Sequence, residues 1–292
     1  MPQRMGEFCL ALPRYERIPT LYMDMIFCPL YSGSSGNALF VQYGGTRLLI
    51  DAGKSGKMIT EALDMIGVDP KTLDGVLVTH EHSDHIAGVG VLARKYKLPV
   101  YATEATWEAM DEKVGRMPEG CRRTFDTFSD FYLGDIGVVP FSIPHDAAEP
   151  VAYRISHGKK KIGIITDLGN YNDYTVESLK GMDALLLEAN HDVRMLQVGP
   201  YPYYLKQRIL GDRGHLSNER AGQLLSHLLH DKLQAVVLGH LSKENNLPEL
   251  AYEAVRVEVT MEAAKTDAKV MINEIPMQVA RRSEVTPVIH IA

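Results

Sequence analysis

The sequence predicts an α/β fold in which short apolar strands alternate with amphipathic helices. The 292 residues are enough for one large domain with a sizeable core. Apolar runs of strand length recur along the chain, and segments with helical apolar spacing separate them. Polar side chains directly follow six of these strands, at Asp51, His80, His145, Asp167, Glu188 and His240. In layered α/β folds, the ends of the strands are where ligands bind.

Four strands and two helices are predicted in the first third of the chain. Apolar runs bounded by turn residues predict strands over residues 25–31, 37–43, 46–50 and 74–79. Small residues at 32–36 and 44–45 predict the turns between the first three strands. The spacing of apolar residues predicts a helix over residues 55–66 and another over residues 86–96. The second of these helices begins directly behind a cluster of histidines.

The second half of the chain has the same kind of predicted strands and helices, but its sequence is not a repeat of the first half. Apolar runs predict strands over residues 136–143, 151–156, 161–166, 184–187 and 235–238 and near residues 270–272. The turn at residues 157–158 predicts a hairpin. Helices are predicted over residues 218–230 and through Leu250, Ala254 and Val257.

The N-terminal segment and the composition indicate the extent of the domain and the cellular location of the protein. We expect residues 1–22 to be a partly disordered N-terminal extension, and residues 23–292 to form a single domain. The apolar run at residues 8–12 is too short for a signal peptide, and no run is long enough to span a bilayer. The three cysteines have no repeated spacing, so a disulfide framework is not predicted. These features favour a cytoplasmic protein without a membrane partner.

The charge balance limits the kinds of partner. The net charge is −6, which argues against a protein that coats nucleic acid through bulk positive charge. A nuclease is still compatible with this charge, because metal cations would neutralise several of the acidic residues locally.

The segment of residues 80–85, with the sequence HEHSDH, carries the strongest functional signal. Three histidines and an aspartate this close together would be costly at neutral pH unless a cation joins them. The i, i+2 spacing directs His80 and His82 to the same side of an extended segment. Asp84 and His85 then turn into the following helix and can face a second ion. Imidazoles and carboxylates suit Zn²⁺, Mn²⁺ or Fe²⁺.

This segment resembles the H-x-H-x-D-H motif of the metallo-β-lactamase superfamily, and the resemblance extends over nearly the whole chain from about Met25. It implies an αβ/βα four-layer sandwich, with two mixed sheets face to face and helices outside. It also implies two metal ions, with ligands His80, His82 and His145 for one, Asp84, His85 and His240 for the other, and Asp167 as the bridge. Asp51 would orient the histidine loop without binding metal itself.

Four short segments resemble the compact bacterial YycJ/WalJ-type proteins, which are 5′-to-3′ DNA exonucleases. These segments are residues 31–37, 187–192, 214–218 and 239–242. The resemblance implies a phosphodiester hydrolase acting on DNA, in which a metal-bridging hydroxide attacks phosphorus. Di-iron oxidoreductases of this fold have glutamate where this chain has His82, so a redox function is not predicted. Ribonucleases of the β-CASP type have a long extra domain. Too few residues separate Asp167 from His240 to form it, so that type is not predicted.

Further residues are candidates for catalysis and substrate binding. His215 precedes Ser217, a good N-cap, and a helix N-terminus attracts phosphate. We therefore predict that His215 acts with Asp84 and Asp167 in catalysis. Either His215 or a metal-bound water would protonate the leaving oxygen, and His215 could instead bind a phosphate. Candidate substrate contacts are Ser34, Asn37, Asn190, His191, Ser217 and Ser242. Glu188 is interpreted only as a residue that ends a strand.

Two other functions stay open on the sequence alone. The same centre could hydrolyse a small ester, a thioester or a cyclic phosphodiester, since metal ions do similar work on each. Alternatively, the chain could be a metal-holding regulatory or binding protein with little turnover. A complete set of catalytic ligands argues against this second alternative.

Overall fold

The computed structural model describes residues 24–265 and 276–292. The extension predicted at residues 1–22 and the strand predicted near residues 270–272 lie outside the described residues. Within the described ranges, no helix combines the length and the apolar character needed to cross a bilayer.

The strands of the described residues form two sheets of seven strands each. In chain order they are β1 (Met25–Tyr31), β2 (Ala38–Tyr43), β3 (Thr46–Ile50), β4 (Gly75–Leu77), β5 (Val100–Ala102), β6 (Arg122–Thr124), β7 (Phe131–Leu133), β8 (Ile136–Ser142), β9 (Val151–His157), β10 (Lys160–Ile165), β11 (Ala184–Glu188), β12 (Ala235–Gly239), β13 (Met277–Val279) and β14 (Ile289–Ile291). The first sheet has the order β14-β1-β2-β3-β4-β5-β6, and the second has the order β13-β12-β11-β10-β9-β8-β7. Both sheets are mixed, because each contains antiparallel pairs at one side and parallel pairs at the other.

The described residues also form α-helices, several of which cover the outer faces of the two sheets. In chain order they are α1 (Gly56–Met65), α2 (Ser83–Ile86), α3 (Val89–Tyr96), α4 (Glu104–Val114), α5 (Asp173–Leu179), α6 (Val193–Val198), α7 (Tyr203–Leu210), α8 (Asn218–Leu228) and α9 (Pro248–Lys265). Residue types that favour helix starts occupy several N-caps. The Ser55 side chain accepts a hydrogen bond from the backbone of Met58, and that of Ser217 accepts one from Arg220.

Successive side chains of a strand point to opposite faces of its sheet, and this alternation produces one core between the sheets and others under the helices. In β1, Met25 and Phe27 point into the core between the two sheets, whereas Ile26 and Cys28 point to the helices. Helices α1, α3 and α4 pack on the outside of the first sheet, and α5, α8 and α9 pack on the outside of the second. The predicted αβ/βα sandwich is therefore confirmed.

The predicted helix at residues 86–96 is wrong in its boundaries. The structure has two helices there, α2 and α3, separated at Ala87 and Gly88. The backbone N–H of Gly88 donates to the Ala52 carbonyl at 2.7 Å. A Cβ atom at Gly88 would lie 2.4 Å from the Lys54 carbonyl oxygen, so a larger residue would clash with the backbone. This close approach breaks the helix and presses the histidine loop against the end of β3.

The helix predicted through Leu250, Ala254 and Val257 is present as α9. Ala251, Val255 and Val259 are fully buried, whereas Val257 is exposed.

Candidate metal centre

The polar residues that follow the strands meet at one edge of the sandwich. Asp51 follows β3, Asp167 follows β10 and His240 follows β12. Their φ angles are 59°, 56° and 55°, in the left-handed region that residues other than glycine rarely adopt. Backbone of this kind costs free energy and clusters at functional sites. The chain therefore turns sharply at three strand ends, and each turn brings a polar side chain to the same place.

The first group of candidate ligands is His80, His82 and His145. One ring nitrogen from each lies within 4.8 Å of the others. His145 uses Nδ1 to donate to the Gly214 carbonyl at 3.1 Å, which leaves Nε2 facing His82 Nδ1 at 3.3 Å. The Nε2 atom of His80 is buried and has no hydrogen-bond partner. Such an atom is costly unless a ligand satisfies it, and a metal ion would do so.

The second group is Asp84, His85 and His240, whose ligand atoms also lie within 4.8 Å of one another. Asp84 Oδ2 lies 3.7 Å from His85 Nε2 and 3.5 Å from His240 Nε2. The outer nitrogen of each ring is held by a carboxylate: Asp51 Oδ2 lies 2.7 Å from His85 Nδ1, and Glu188 Oε1 lies 2.7 Å from His240 Nδ1. Carboxylates that orient metal-binding histidines in this way are a common feature of metal sites.

Asp167 lies between the two groups. Its Oδ2 is 3.1 Å from His85 Nε2, and its Oδ1 is 3.7 Å from His145 Nε2. The side chain is only 3% exposed, so its negative charge is not stabilised by bulk water. The bridging role that the resemblance implies for Asp167 stays a prediction.

The electrostatics of the centre fit bound cations. Burial, together with the nearby His85, lowers the pKa of His80 well below its usual value. Burial alone would also lower the pKa of His240, but the carboxylates of Asp167, Asp84 and Glu188 outweigh it and raise the pKa to about 10. When the histidines are neutral, the carboxylates give the centre a net negative charge, which bound cations would balance. Neutral imidazoles and ionised carboxylates are also the forms that bind divalent metal ions, so the residues fit such ions.

Glu188 is the site residue whose role the sequence did not indicate. It is completely buried at the end of β11. Its Oε1 accepts from His215 at 2.9 Å and from His240 at 2.7 Å, and its Oε2 accepts from the backbone of Leu168 and Leu216. Burial would raise the pKa of Glu188, but His215 and His240 lower it to about 2. This carboxylate positions one candidate metal ligand and the candidate general acid at the same time.

His215 stands where the centre meets an open cavity. Its ring centroid lies 5.2 Å from those of His145 and His240, and its Nδ1 is 3.7 Å from Asp167 Oδ1. The cavity has a volume of about 170 Å³, and three predicted substrate contacts line it: Ser34, Asn190 and Ser242. Because Glu188 occupies Nδ1, the remaining nitrogen of His215 is the one available to a substrate.

Asn37 has a different position from the one predicted. It is buried, its Oδ1 accepts from the Gly33 backbone at 2.9 Å, and its Nδ2 lies 3.0 Å from His85 Nε2. Its backbone also pairs with Asp84 and Gly53. These contacts fasten the loop after β1 to the histidine loop.

His191 and Ser217 line a second cavity of about 290 Å³, which also borders His215. We call it the α8 pocket, and its polar lining consists of Asn170, His191, Asp212, His215, Ser217 and Arg220. Two of the predicted substrate contacts are thus brought together there, apart from the other four.

Comparison with known proteins finds several that are similar to this chain. Residues 46–241 match a family model described as a Beta-lactamase superfamily domain. The chain is 44% identical to Exodeoxyribonuclease YycJ of Bacillus anthracis over 80% of this chain and 88% of that protein. It is 45% identical to Exodeoxyribonuclease WalJ of Streptococcus pneumoniae serotype 2 over 76% of this chain and 84% of that protein. The metallo-β-lactamase fold protein YhfI from Bacillus subtilis superimposes with a TM-score of 0.68 at 17% identity, over 90% of this chain and 99% of that chain, which bears on the fold alone.

Proposed function

The chain belongs to the β-lactamase superfamily, and we propose that it is a metal-dependent phosphodiester hydrolase that digests DNA from the 5′ end. The observation that carries this proposal is the pair of ligand groups on either side of Asp167, with His215 beside them. The identity to two exodeoxyribonucleases, over most of their length, supports DNA as the substrate. The 5′-to-3′ direction rests on the resemblance of the motif segments alone.

Two divalent ions fit the two ligand groups. His80, His82 and His145 would hold one ion, and Asp84, His85 and His240 would hold the other, with Asp167 shared between them. When bound, such ions activate a water molecule and stabilise the negative charge that develops on a phosphoryl group. Zn²⁺ and Mn²⁺ both suit this set of imidazoles and carboxylates, and Fe²⁺ also fits.

His215 supplies the proton for the leaving oxygen in this proposal. Glu188 accepts a hydrogen bond from its Nδ1 and so fixes the orientation of the ring. The other ring nitrogen, Nε2, is then the atom that can pass a proton to a leaving oxygen. The side chain of His215 is 22% exposed, so a substrate in the adjoining cavity can reach it.

Cations at the rim of the centre favour an anionic substrate over a neutral ester. Burial and the nearby Arg282 both lower the pKa of Lys54, and Asp84 partly offsets them. The Nη1 atom of Arg282 is buried and has no hydrogen-bond partner. Arg208 lines the cavity at His215, and Arg220 lines the α8 pocket. Although Asp146 pairs with Arg208, these cations place positive charge beside the centre of a chain whose net charge is −6.

The exposed surface of helix α7 favours a polymeric substrate over a small molecule. None of its residues is buried, and Tyr203 and Tyr204 are 76% and 74% exposed. Tyr201, just before the helix, lines the cavity at His215. Exposed aromatic rings beside a cationic groove are the surfaces on which the bases of single strands stack.

Digestion of end-labelled DNA tests this function directly. With the label at the 5′ end, we expect labelled mononucleotide from the start of the reaction, and with the label at the 3′ end, only after most of the strand is gone. A chromogenic phosphodiester, a carboxylic ester and a thioester are assayed beside the DNA. Turnover of the ester or thioester without digestion of DNA would contradict the proposal and favour the small-substrate alternative.

His215→Ala should retain its metal ions and lose activity by roughly 10²- to 10⁴-fold, the usual contribution of a positioned acid or base. A fall in kcat at unchanged KM indicates proton donation, whereas a raised KM with kcat retained indicates phosphate binding. His227→Ala is the matched control, because His227 lies on α8 outside the centre. A His215→Ala enzyme with the activity of the control would remove His215 from the mechanism.

A further inference from the structure

The α8 pocket adjoins the metal centre and has features that the reaction itself does not use. His215 lines both this pocket and the cavity described above, and its Nδ1 lies 3.7 Å from Asp167 Oδ1. A ligand in the pocket would therefore lie next to the group that undergoes hydrolysis.

The N-terminus of α8 faces this pocket. Ser217 is the N-cap of this 11-residue helix, and it lines the pocket. The N–H groups of Asn218 and Arg220 at the start of this helix already donate to the His191 carbonyl and to Ser217 Oγ, so it is the helix dipole that would attract an anion here. An isolated helix terminus would not identify a site, but two further features of the same pocket point to a ligand.

The first of these features is His191. The residue is only 1% exposed, and its Nε2 is buried without any hydrogen-bond partner. Its backbone is fixed by a bridge to Ser217 and by a hydrogen bond from the Asn218 N–H at 2.9 Å. A buried polar atom without a partner is rare and costly, so a ligand that contacts Nε2 would be favoured.

The second feature is a cation held in place at the same pocket. The guanidinium of Arg220 lies over the ring of Tyr171, 4.7 Å from its centroid, and donates a hydrogen bond to Asn170 Oδ1. Asn170 in turn donates to Asp212 Oδ1 at 2.9 Å, which engages the one carboxylate that lines the pocket. The guanidinium is therefore positioned in advance and loses little freedom when it binds an anion.

We propose that the α8 pocket binds the 5′-terminal phosphate of the DNA strand being digested. This inference rests on the proposed function and assigns the end group that the enzyme recognises. Arg220 and the N-terminus of α8 would balance the charge of the phosphate. The Nε2 atom of His191 would contact a phosphate oxygen or its hydroxyl, since the second ionisation of a phosphate monoester has a pKa of about 6.

The chemistry of digestion fits this assignment. The oxygen of water bonds to the phosphorus between the first two nucleotides, the bond from phosphorus to O3′ breaks, and O3′ takes a proton. The released nucleotide carries away the phosphate that was in the pocket. The shortened strand keeps the attacked phosphorus as a new 5′-phosphate, so each cycle regenerates the end group that the pocket binds.

The test compares kcat/KM on one DNA sequence bearing a 5′-phosphate, a 5′-hydroxyl or a 3′-phosphate. The wild-type enzyme should prefer the 5′-phosphate over the 5′-hydroxyl by about tenfold or more, which is the effect of one hydrogen bond to a charged group. Arg220→Gln and His191→Gln should each bring this ratio towards one. The ratio is independent of how much of a variant is folded. Arg256→Gln is the control, because it removes an exposed arginine from α9 and should keep the full preference.

A wild-type ratio near one on DNA that is digested, or a preference for the 3′-phosphate, would overturn the inference while leaving the nuclease function intact. Retention of the full ratio by both pocket variants would also overturn it. If no DNA is digested, the proposed function fails. Binding of the same three oligonucleotides to the metal-loaded protein then decides the inference, and equal affinities would overturn it.

Discussion

Replacing Asp167 with asparagine should lower kcat by at least about 10³-fold, because we propose that this carboxylate is shared by the two metal ions. Asparagine is the best substitution, since it keeps the shape of the side chain and tolerates the left-handed φ of 56° better than alanine does. The neutral amide would weaken the binding of both cations and lose the charge that holds them together. Steady-state kinetics on DNA and on a chromogenic phosphodiester measure the effect.

Asp51→Asn is the matched control for this variant. Asp51 has nearly the same backbone conformation, with a φ of 59°, and it contacts His85 Nδ1 rather than the interior of the centre. The loss of a carboxylate that orients a ligand typically costs about 10- to 100-fold. We therefore expect Asp51→Asn to be clearly more active than Asp167→Asn. Equal activities, or near-normal turnover in Asp167→Asn with its metals bound, would contradict the bridging role.

His82→Ala should lose bound metal together with activity, by about 10³-fold or more. His82 is the most favourable candidate ligand to remove, because its ring is only partly buried and its hydrogen-bonding contact is to His145 Nε2 at 3.3 Å. The fold should therefore survive the change. Elemental analysis, circular dichroism and DNA digestion on the same preparation separate loss of metal from loss of structure.

The control for this variant is His157→Ala. His157 stacks on Tyr43 in the hairpin between β9 and β10, and none of its contacts reaches the centre. We expect this enzyme to keep wild-type metal content and activity. A His82→Ala enzyme with the same metal content as the control would show that His82 is not a ligand.

Much of the centre could be anticipated because its largest part is local in sequence. The segment of residues 80–85 places four candidate ligands within six consecutive residues, so a metal site can be predicted there without knowledge of the fold. Asp51, His145, Asp167 and His240 are distant in sequence, but each directly follows an apolar strand. Strand ends converge in a layered fold, and the structure brings these residues together. Their roles as ligands stay predictions until metal is measured.

Glu188 shows where this reasoning stops. It also directly ends an apolar strand, and sequence alone cannot tell which side chains its carboxylate meets. Its partners depend on the strand order, in which β11 lies between β10 and β12, and on the loop that brings His215 back to the same edge. That order is set by the packing of the whole sheet. A carboxylate that positions two histidines is therefore visible only in three dimensions.

The same reason explains the errors in the fold. The break between α2 and α3 is imposed by the contact of Gly88 with the residues after β3, which are distant in sequence. The region of residues 97–135 contains strands of only three residues, too short to give a periodic signal. The helix α7 buries none of its residues, so it lacks the apolar stripe by which helices are recognised.

The number of metal ions per chain tests the central claim most directly. The protein is reconstituted with Zn²⁺ or Mn²⁺, freed of excess metal, and analysed for metal content and for DNA digestion at each added equivalent. We predict close to two ions per chain, with full activity reached only when the second equivalent has bound. Full activity with one ion per chain, or saturation at one ion or none, would contradict the two-metal centre.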